Sequence, residues 1–189
     1  MSAAADVTKL QEIFGGKIWE TLEFRSEHTV RVELGTLYEL LAKCQQDLGY
    51  EMILDISSLD HFGEDPRFEM VYEIASLDDS KHLRIKSKVS EDESVPSVTD
   101  VWPGADWHER EVWDMMGIPF TGHPNLKRIL MWEGYPYFPL RKDFPLAGRP
   151  TEMPDVAFTG VAPLEGGPFV TSGGTDDVGR REPRAQVVE

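Results

Sequence analysis

Glu109, Arg110, Glu111 and Asp114 crowd four ionisable side chains into six positions. On a helix, Arg110 and Asp114 stand at i, i+4 and can pair, while Glu111 and Asp114 share a side at i, i+3. Glu109 and Glu111 are two apart and diverge, which makes a poor acid/base dyad. Three uses stay open. The charges can be a solvated, salt-bridged helix face, where each pair contributes about 0.5 kcal/mol. They can meet complementary charges across a contact and fix its register. Or Glu111 or Asp114 can be the general base of a free-standing enzyme, which requires a pocket that shifts its pKa.

Other chemistry is harder to assemble from this chain. His108-Glu109 starts like the zinc-protease helix motif, but Val112 stands where the second histidine belongs. His123, before Pro124, reads as the residue that orders a turn. Lys127-Arg128 and Arg141-Lys142 are basic spots, yet no Gly-rich loop opens a helix near them to cradle phosphate. Gly166-Gly167 and Gly173-Gly174 follow no strand. Cys44 is the single cysteine, so neither an internal disulfide nor the several thiolates of an iron–sulfur cluster can be built. Its spacing puts it on the apolar face of a helix as a small hydrophobe. No residue set completes an active site, a cofactor site or a metal site.

The elements that must position these residues follow from periodicity. Residues 6–14 form a short helix that ends at Gly15-Gly16. Alternation predicts strands over 18–25 and 29–34, with a turn at 26–28. Leu37, Leu40, Leu41, Cys44 and Leu48 share one face of a helix over 36–48, which Gly49 stops. Three further strands are expected at 51–57, 67–77 and 83–89, the last two joined at Asp78–Ser80. The order β-β-α-β-β-β implies an α+β fold, a small mostly antiparallel or mixed sheet with one or two packed helices. A helix over 105–116 follows, terminated by Gly117. Beyond Pro119 prolines at 124, 136, 139 and 145 hold the backbone extended, so an extended strap is expected. The expected division is an α+β domain at 1–100, helix and strap at 101–146, and a Gly/Pro-rich tail at 147–189.

Charge falls unevenly across that division. The chain carries −15 in total, −11 of it in residues 1–100 and only −1 in residues 101–146. Such an acidic balance argues against nucleic acid or an anionic lipid surface as partner. The nearly neutral segment also holds Trp102, Trp107, Trp113 and Trp132, four of the five tryptophans. Low net charge with enriched aromatics describes the core of a protein–protein contact. These tryptophans are therefore expected to anchor in a partner, although packing within the strap is the alternative. No apolar run approaches the ~20 residues that span a bilayer, and the first residues lack the features of a secretion or import signal. The expectation is a soluble, cytosol-facing protein that reaches a membrane only through other chains.

Glu109-Arg110-Glu111, Asp114, Gly117, Phe120, His123-Pro124, Leu126 and Arg128-Ile129-Leu130, followed by Pro139–Pro145, resemble the signature of the 30-kDa subunit family of respiratory NADH–quinone oxidoreductase, complex I. That family is one of hydrophilic-arm subunits without a redox centre. The resemblance covers residues 100–146 strongly, 17–100 loosely and 150–189 not at all. It implies a non-redox scaffold that packs on the large quinone-pocket subunit and other arm subunits. Flavin, iron–sulfur clusters and quinone would then sit in those other chains, and the enzyme would couple NADH oxidation to proton translocation. The expected place is the cytoplasmic side of a bacterial inner membrane, held peripherally. It further implies that Glu109, Arg110, Glu111, Asp114, His123, Arg128, Arg141, Lys142 and Asp143 fix the fold and contact neighbouring subunits; Trp113 and Trp132, from the aromatic enrichment, are expected at the same interface. An interface of about 2,000 Å² or more is expected for such an obligate contact. In some relatives the quinone-pocket subunit is fused after the equivalent of Pro145; here an acidic tail follows instead, and no fusion is expected. The same scaffold in a membrane-bound hydrogenase-type complex is the nearest alternative.

Overall fold

Alternating apolar and polar side chains over Phe68–Ala75 (β4) and His82–Val89 (β5) make the centre of the sheet. Their antiparallel register, Phe68↔Val89 through Ala75↔His82, sets Phe68, Met70, Tyr72 and Ile74 beside Leu83, Ile85 and Val89 on one buried face. The computed structural model, which describes residues 2–78 and 80–145, extends this pair on both sides. Met52–Asp60 (β3) lies antiparallel on β4. Glu27–Val32 (β2) runs parallel to β5 and antiparallel to Ile18–Phe24 (β1). The order is β1-β2-β5-β4-β3, a mixed sheet as the α+β reading expects.

The β1–β2 turn is tighter than expected. Arg25 and Ser26, both at positive φ (52° and 66°), form a two-residue hairpin of the kind that matches sheet twist, so β2 begins at Glu27. On the buried face lie Ala3–Phe14 (α1) and Leu34–Leu48 (α2). Leu37, Leu40, Leu41, Cys44 and Leu48 point into the core as their spacing predicts. Burial pushes the Cys44 thiol up to about 12, with Asp6 adding to the shift, so it stays a neutral hydrophobe. Asp6 is itself fully buried. Its Oδ2 accepts from Lys81 Nζ at 2.8 Å. Lys81 also donates to the Leu48 carbonyl and lies 4.7 Å from the Tyr50 ring centre. One ion pair thus ties α1, α2 and the start of β5 together.

No boundary falls at residue 100. Ala105–Met116 (α3) lies along β3, and Ala105, Val112, Met115 and Met116 join the same core as the sheet. The compact unit runs Met1–Arg141. Short strands missed in the sequence, Val95–Pro96 (β6) and Phe120–Thr121 (β7), pair parallel and frame α3 on both sides. A second unit is Lys142–Glu189, of which residues 142–145 are described; the tail expected at 147–189 lies outside the described residues. No helix among the described residues is long and apolar enough to cross a membrane.

Removing one member of a buried ion pair strands the other charge, a loss of about 3 kcal/mol or more. Asp6→Ala is therefore expected to lower unfolding free energy by that amount in urea denaturation followed by tryptophan fluorescence. A loss within the ~1 kcal/mol of an exposed pair would contradict the role given to Asp6.

Candidate functional site

An α-helix leaves its last four carbonyls without intrahelical donors. In α3 all four find one, three of them from the proline-rich segment that follows. The Trp113 carbonyl accepts from Gly117 N–H at 2.9 Å, the ordinary left-handed helix stop. The Asp114 carbonyl accepts from Arg128 Nη1 at 2.9 Å. The Met115 carbonyl accepts from Leu140 N–H at 3.1 Å, and the Met116 carbonyl from Arg141 Nε at 2.6 Å. Two guanidinium groups thereby cap the negative end of the helix dipole. Gly117 makes the approach possible. Its φ is +74°, and a Cβ there would stand 2.6 Å from the Phe138 ring and 2.7 Å from Arg141 Nη2.

A stripe at i, i+4 along α3 laces the rest of the segment down. Asp106 Oδ1 lies 3.2 Å from His123 Nε2, and His123 Nδ1 accepts from Asn125 N–H at 3.0 Å to close the His-Pro turn. One turn on, Arg110 Nε donates to the Lys127 carbonyl at 3.0 Å. One turn further, Asp114 Oδ2 accepts from three successive backbone N–H groups, Ile129 at 3.0 Å, Leu130 at 2.8 Å and Met131 at 2.9 Å, while Oδ1 takes Arg128. Arg128 also donates to the carbonyls of Tyr135 and Tyr137, and its guanidinium lies within 5.7 Å of the Trp113, Tyr135 and Phe138 ring centres. Further on, Arg141 Nη1 reaches Glu91 at 3.0 Å, a carboxylate that Arg67 also holds at 3.1 Å.

Two buried carboxylates of α3 are driven in opposite directions. Burial alone would raise Asp114, but the Met131 and Leu130 N–H groups, Arg128 and the Ile129 N–H outweigh it and hold the carboxyl below its ordinary value. Glu109 has weaker support. Its Oε1 accepts from Val98 N–H at 2.7 Å; Oε2 is buried without a hydrogen-bond partner among the described residues, 3.9 Å from His123 Nε2. Burial pushes Glu109 up to about 7; the Val98 and Ser97 hydrogen bonds oppose this, and Asp106 and Asp100 add to the rise.

Several of the residues expected to fix the fold and contact neighbours are engaged within the chain. Glu109 and Asp114 are fully buried and His123 has no exposed side-chain surface, so they face inward rather than toward a partner. Arg128 is engaged by α3 and by the Tyr135 and Tyr137 carbonyls, and Arg141 by α3 and Glu91. Arg110 pairs with Asp106 at 3.8 Å and not with Asp114, which three backbone amides and Arg128 already occupy. The strap is thus folded back on its own helix as far as Arg141. Trp102 is core, only 3% exposed, its Nε1 donating to the Tyr50 carbonyl at 3.1 Å; Trp113 is half-buried against the core. Outward-facing candidates are Glu111, Trp107 and Trp132, with Leu130 and Leu140 beside them in exposure. Lys142 and Asp143 are exposed and belong to the second unit. Asp106 and Glu91 were missed. Asp106 stands four residues before Arg110, a signal the sequence offered; nothing local marks Glu91. Among the described residues no group of three or more His, Cys, Asp or Glu is placed to hold a metal ion.

A mixed α+β body that wears its own segment 120–141, with large apolar side chains left outward along it, has the build of an assembly subunit. The chain belongs to the family described as "Respiratory-chain NADH dehydrogenase, 30 Kd subunit", whose model matches residues 30–150. It is 42% identical over 147 residues to the C subunit of an NADH-quinone oxidoreductase from Citrifermentans bemidjiense, covering 77% of this chain and 91% of that protein. It is 48% identical over 118 residues to the C 2 subunit of an NADH-quinone oxidoreductase from Rhizobium meliloti, covering 62% of this chain and 65% of that one. In fold it is similar to a chain in the structure of the membrane-bound sulfane sulfur reductase, an archaeal respiratory membrane complex, with TM-score 0.66 and 22% identity over 76% of this chain and 85% of that one.

Two outcomes follow from this geometry. Glu109 is held above its unfolded value of about 4.5, so its contribution to stability is full below that pH and is lost as pH rises through about 7. Glu109→Gln is expected to match the parent near pH 4 and to exceed it by about 1–2 kcal/mol at pH 8 in chemical denaturation; no gain at pH 8 would contradict the assignment. Asp114 acts oppositely, its contribution being present above its unfolded value and lost as pH falls below it. Gly117→Ala would drive a methyl into Phe138 and Arg141, and is expected to cost about 2 kcal/mol. Limited proteolysis should then cut residues 127–141 faster than residues 18–89, whereas equal acceleration in both would contradict it.

Proposed function

We propose that this chain is a non-redox scaffold subunit in the hydrophilic arm of an NADH–quinone oxidoreductase, complex I, packing on its large quinone-pocket subunit. The observation that carries the reading is the laced segment itself. It holds Leu130, Trp132 and Leu140 outward, at 60%, 37% and 61% exposure, and the helix it is laced to leaves Trp107 63% exposed. Large apolar groups fixed on an ordered backbone are the anchors that interfaces use, and preordering lowers the entropic cost of docking them. Flavin, iron–sulfur clusters and quinone belong to other subunits on this reading. The chain is an accessory subunit of the oxidoreductase and is held by its partners at the cytoplasmic face of a bacterial inner membrane. The relatives above 40% identity favour the NADH–quinone assembly over a hydrogenase-type one.

A tagged chain recovered from gently solubilised membranes is expected to bring the other subunits and NADH–quinone activity with it. Trp107→Ser should reduce that recovery while shifting the stability of the chain by less than about 1 kcal/mol, as exposed substitutions do. A solitary monomer from the unsubstituted chain would overturn the reading. Turnover by the isolated chain, abolished in Glu111→Gln with folding retained, would replace it with an enzyme.

A further inference from the structure

Three of the four charges in the Glu109–Asp114 cluster are consumed inside the chain; the fourth is left over. Glu111 is exposed and makes no hydrogen bond or ion pair among the described residues. It stands one turn after the exposed Trp107, at the side of a cleft of about 140 Å³ between α3 and the outer strand β3. Val112 and Met115, 4% and 7% exposed, line the cleft from α3, Ser57 and Ser58 line it from β3, and Leu140 forms an exposed lip. Asp55 lines it from β3, its side chain still 51% exposed although Oδ1 lies 3.2 Å from His108 Nδ1.

Two carboxylates beside a trough with an apolar α3 wall and serine hydroxyls on its β3 wall fit a long cationic side chain. A long cationic side chain lays its methylene stem on apolar surface and carries its charge to the end. An apolar occupant alone would strip water from both carboxylates without replacing their partners, and an anionic one would be repelled. Arginine and other large side chains seated in such pockets are where binding energy concentrates at interfaces. The geometry points to this cleft as the seat of a lysine or arginine side chain of a neighbouring subunit, Glu111 and Asp55 holding its charge and Met115 and Val112 its stem. This rests on the chain being an assembly subunit, and it gives Glu111 the role that Glu109, Arg110 and Asp114 do not have.

The test places photoreactive benzoylphenylalanine at position 140 in the full chain, in the assembled complex purified from gently solubilised membranes. Irradiation is expected to join position 140 to a peptide of another subunit that carries a lysine or arginine beside the crosslinked residue. Glu111→Lys should lower the crosslink yield about tenfold, the scale of one lost charge pair. Reversing the partner's basic residue to glutamate should restore the yield with Glu111→Lys. Absence of any crosslink to another subunit while the chain remains in the complex would overturn the cleft assignment and leave the scaffold reading intact. A crosslinked peptide without a basic residue, one from this same chain, or failure of the charge swap to rescue would overturn it too. Loss of the chain from the complex without any substitution would instead sink the scaffold reading.

Discussion

The end of α3 is where the structure either holds or comes apart. Asp114 is a fully buried carboxylate, and a buried charge is tolerated only when its hydrogen-bonding capacity is used. Here three consecutive amides and a guanidinium use it. The requirement runs both ways. Burial of Asp114 needs the 128–131 backbone in place, and that bent backbone, without a strand neighbour among the described residues, needs an acceptor for its amides. Arg128 closes the loop by capping the helix carbonyl with the same group that neutralises the carboxylate. Removing either member leaves the other buried and unpaired, a loss of about 3–5 kcal/mol, which is comparable with a large part of a domain's net stability.

The proposed function follows from that constraint. A free proline-rich segment would have to order on its partner at roughly 1 kcal/mol per residue. The laced segment has its order already, supplied by Asp106, Arg110 and Asp114 on one helical stripe and by the open carbonyls at the helix end. What remains outward is the other stripe, Trp107 and Glu111, with Leu130, Trp132 and Leu140 alongside. Charges turned inward fix the shape; aromatic and aliphatic groups turned outward are left for contact. The same division explains why a cluster of acidic and basic residues that resembles a reactive site assembles no acid/base pair aimed at solvent.

Much of the fold was legible because it depends on local period. The Leu37–Leu48 stripe, the β4 and β5 alternation and the α3 span from Ala105 to the Gly117 stop all read directly from spacing. The parallel join of β2 to β5 was not legible, since strand neighbours far apart in sequence leave no local mark. For the site, the charged cluster, the His-Pro turn and the two basic spots stood out as residues, but their direction did not. A buried Asp114 and an exposed Glu111 look alike in a sequence; only the returning segment, through Arg128 and Arg141, decides which is which. The burial of Trp102 is equally hidden in the sequence, because its indole N–H donates to the distant Tyr50 carbonyl. Gly117 was recognised as a stop, while its second duty, making room for Phe138 and Arg141, required knowing what comes back to it.

That α3 holds the 128–131 backbone without help from any partner is tested most directly by amide hydrogen exchange on the chain alone. Ile129, Leu130 and Met131 are predicted to exchange about a hundredfold more slowly than open chain, and Asp114→Asn to release all three together while the β4 and β5 amides stay protected. Open-chain exchange at these three amides in the unsubstituted chain would contradict it.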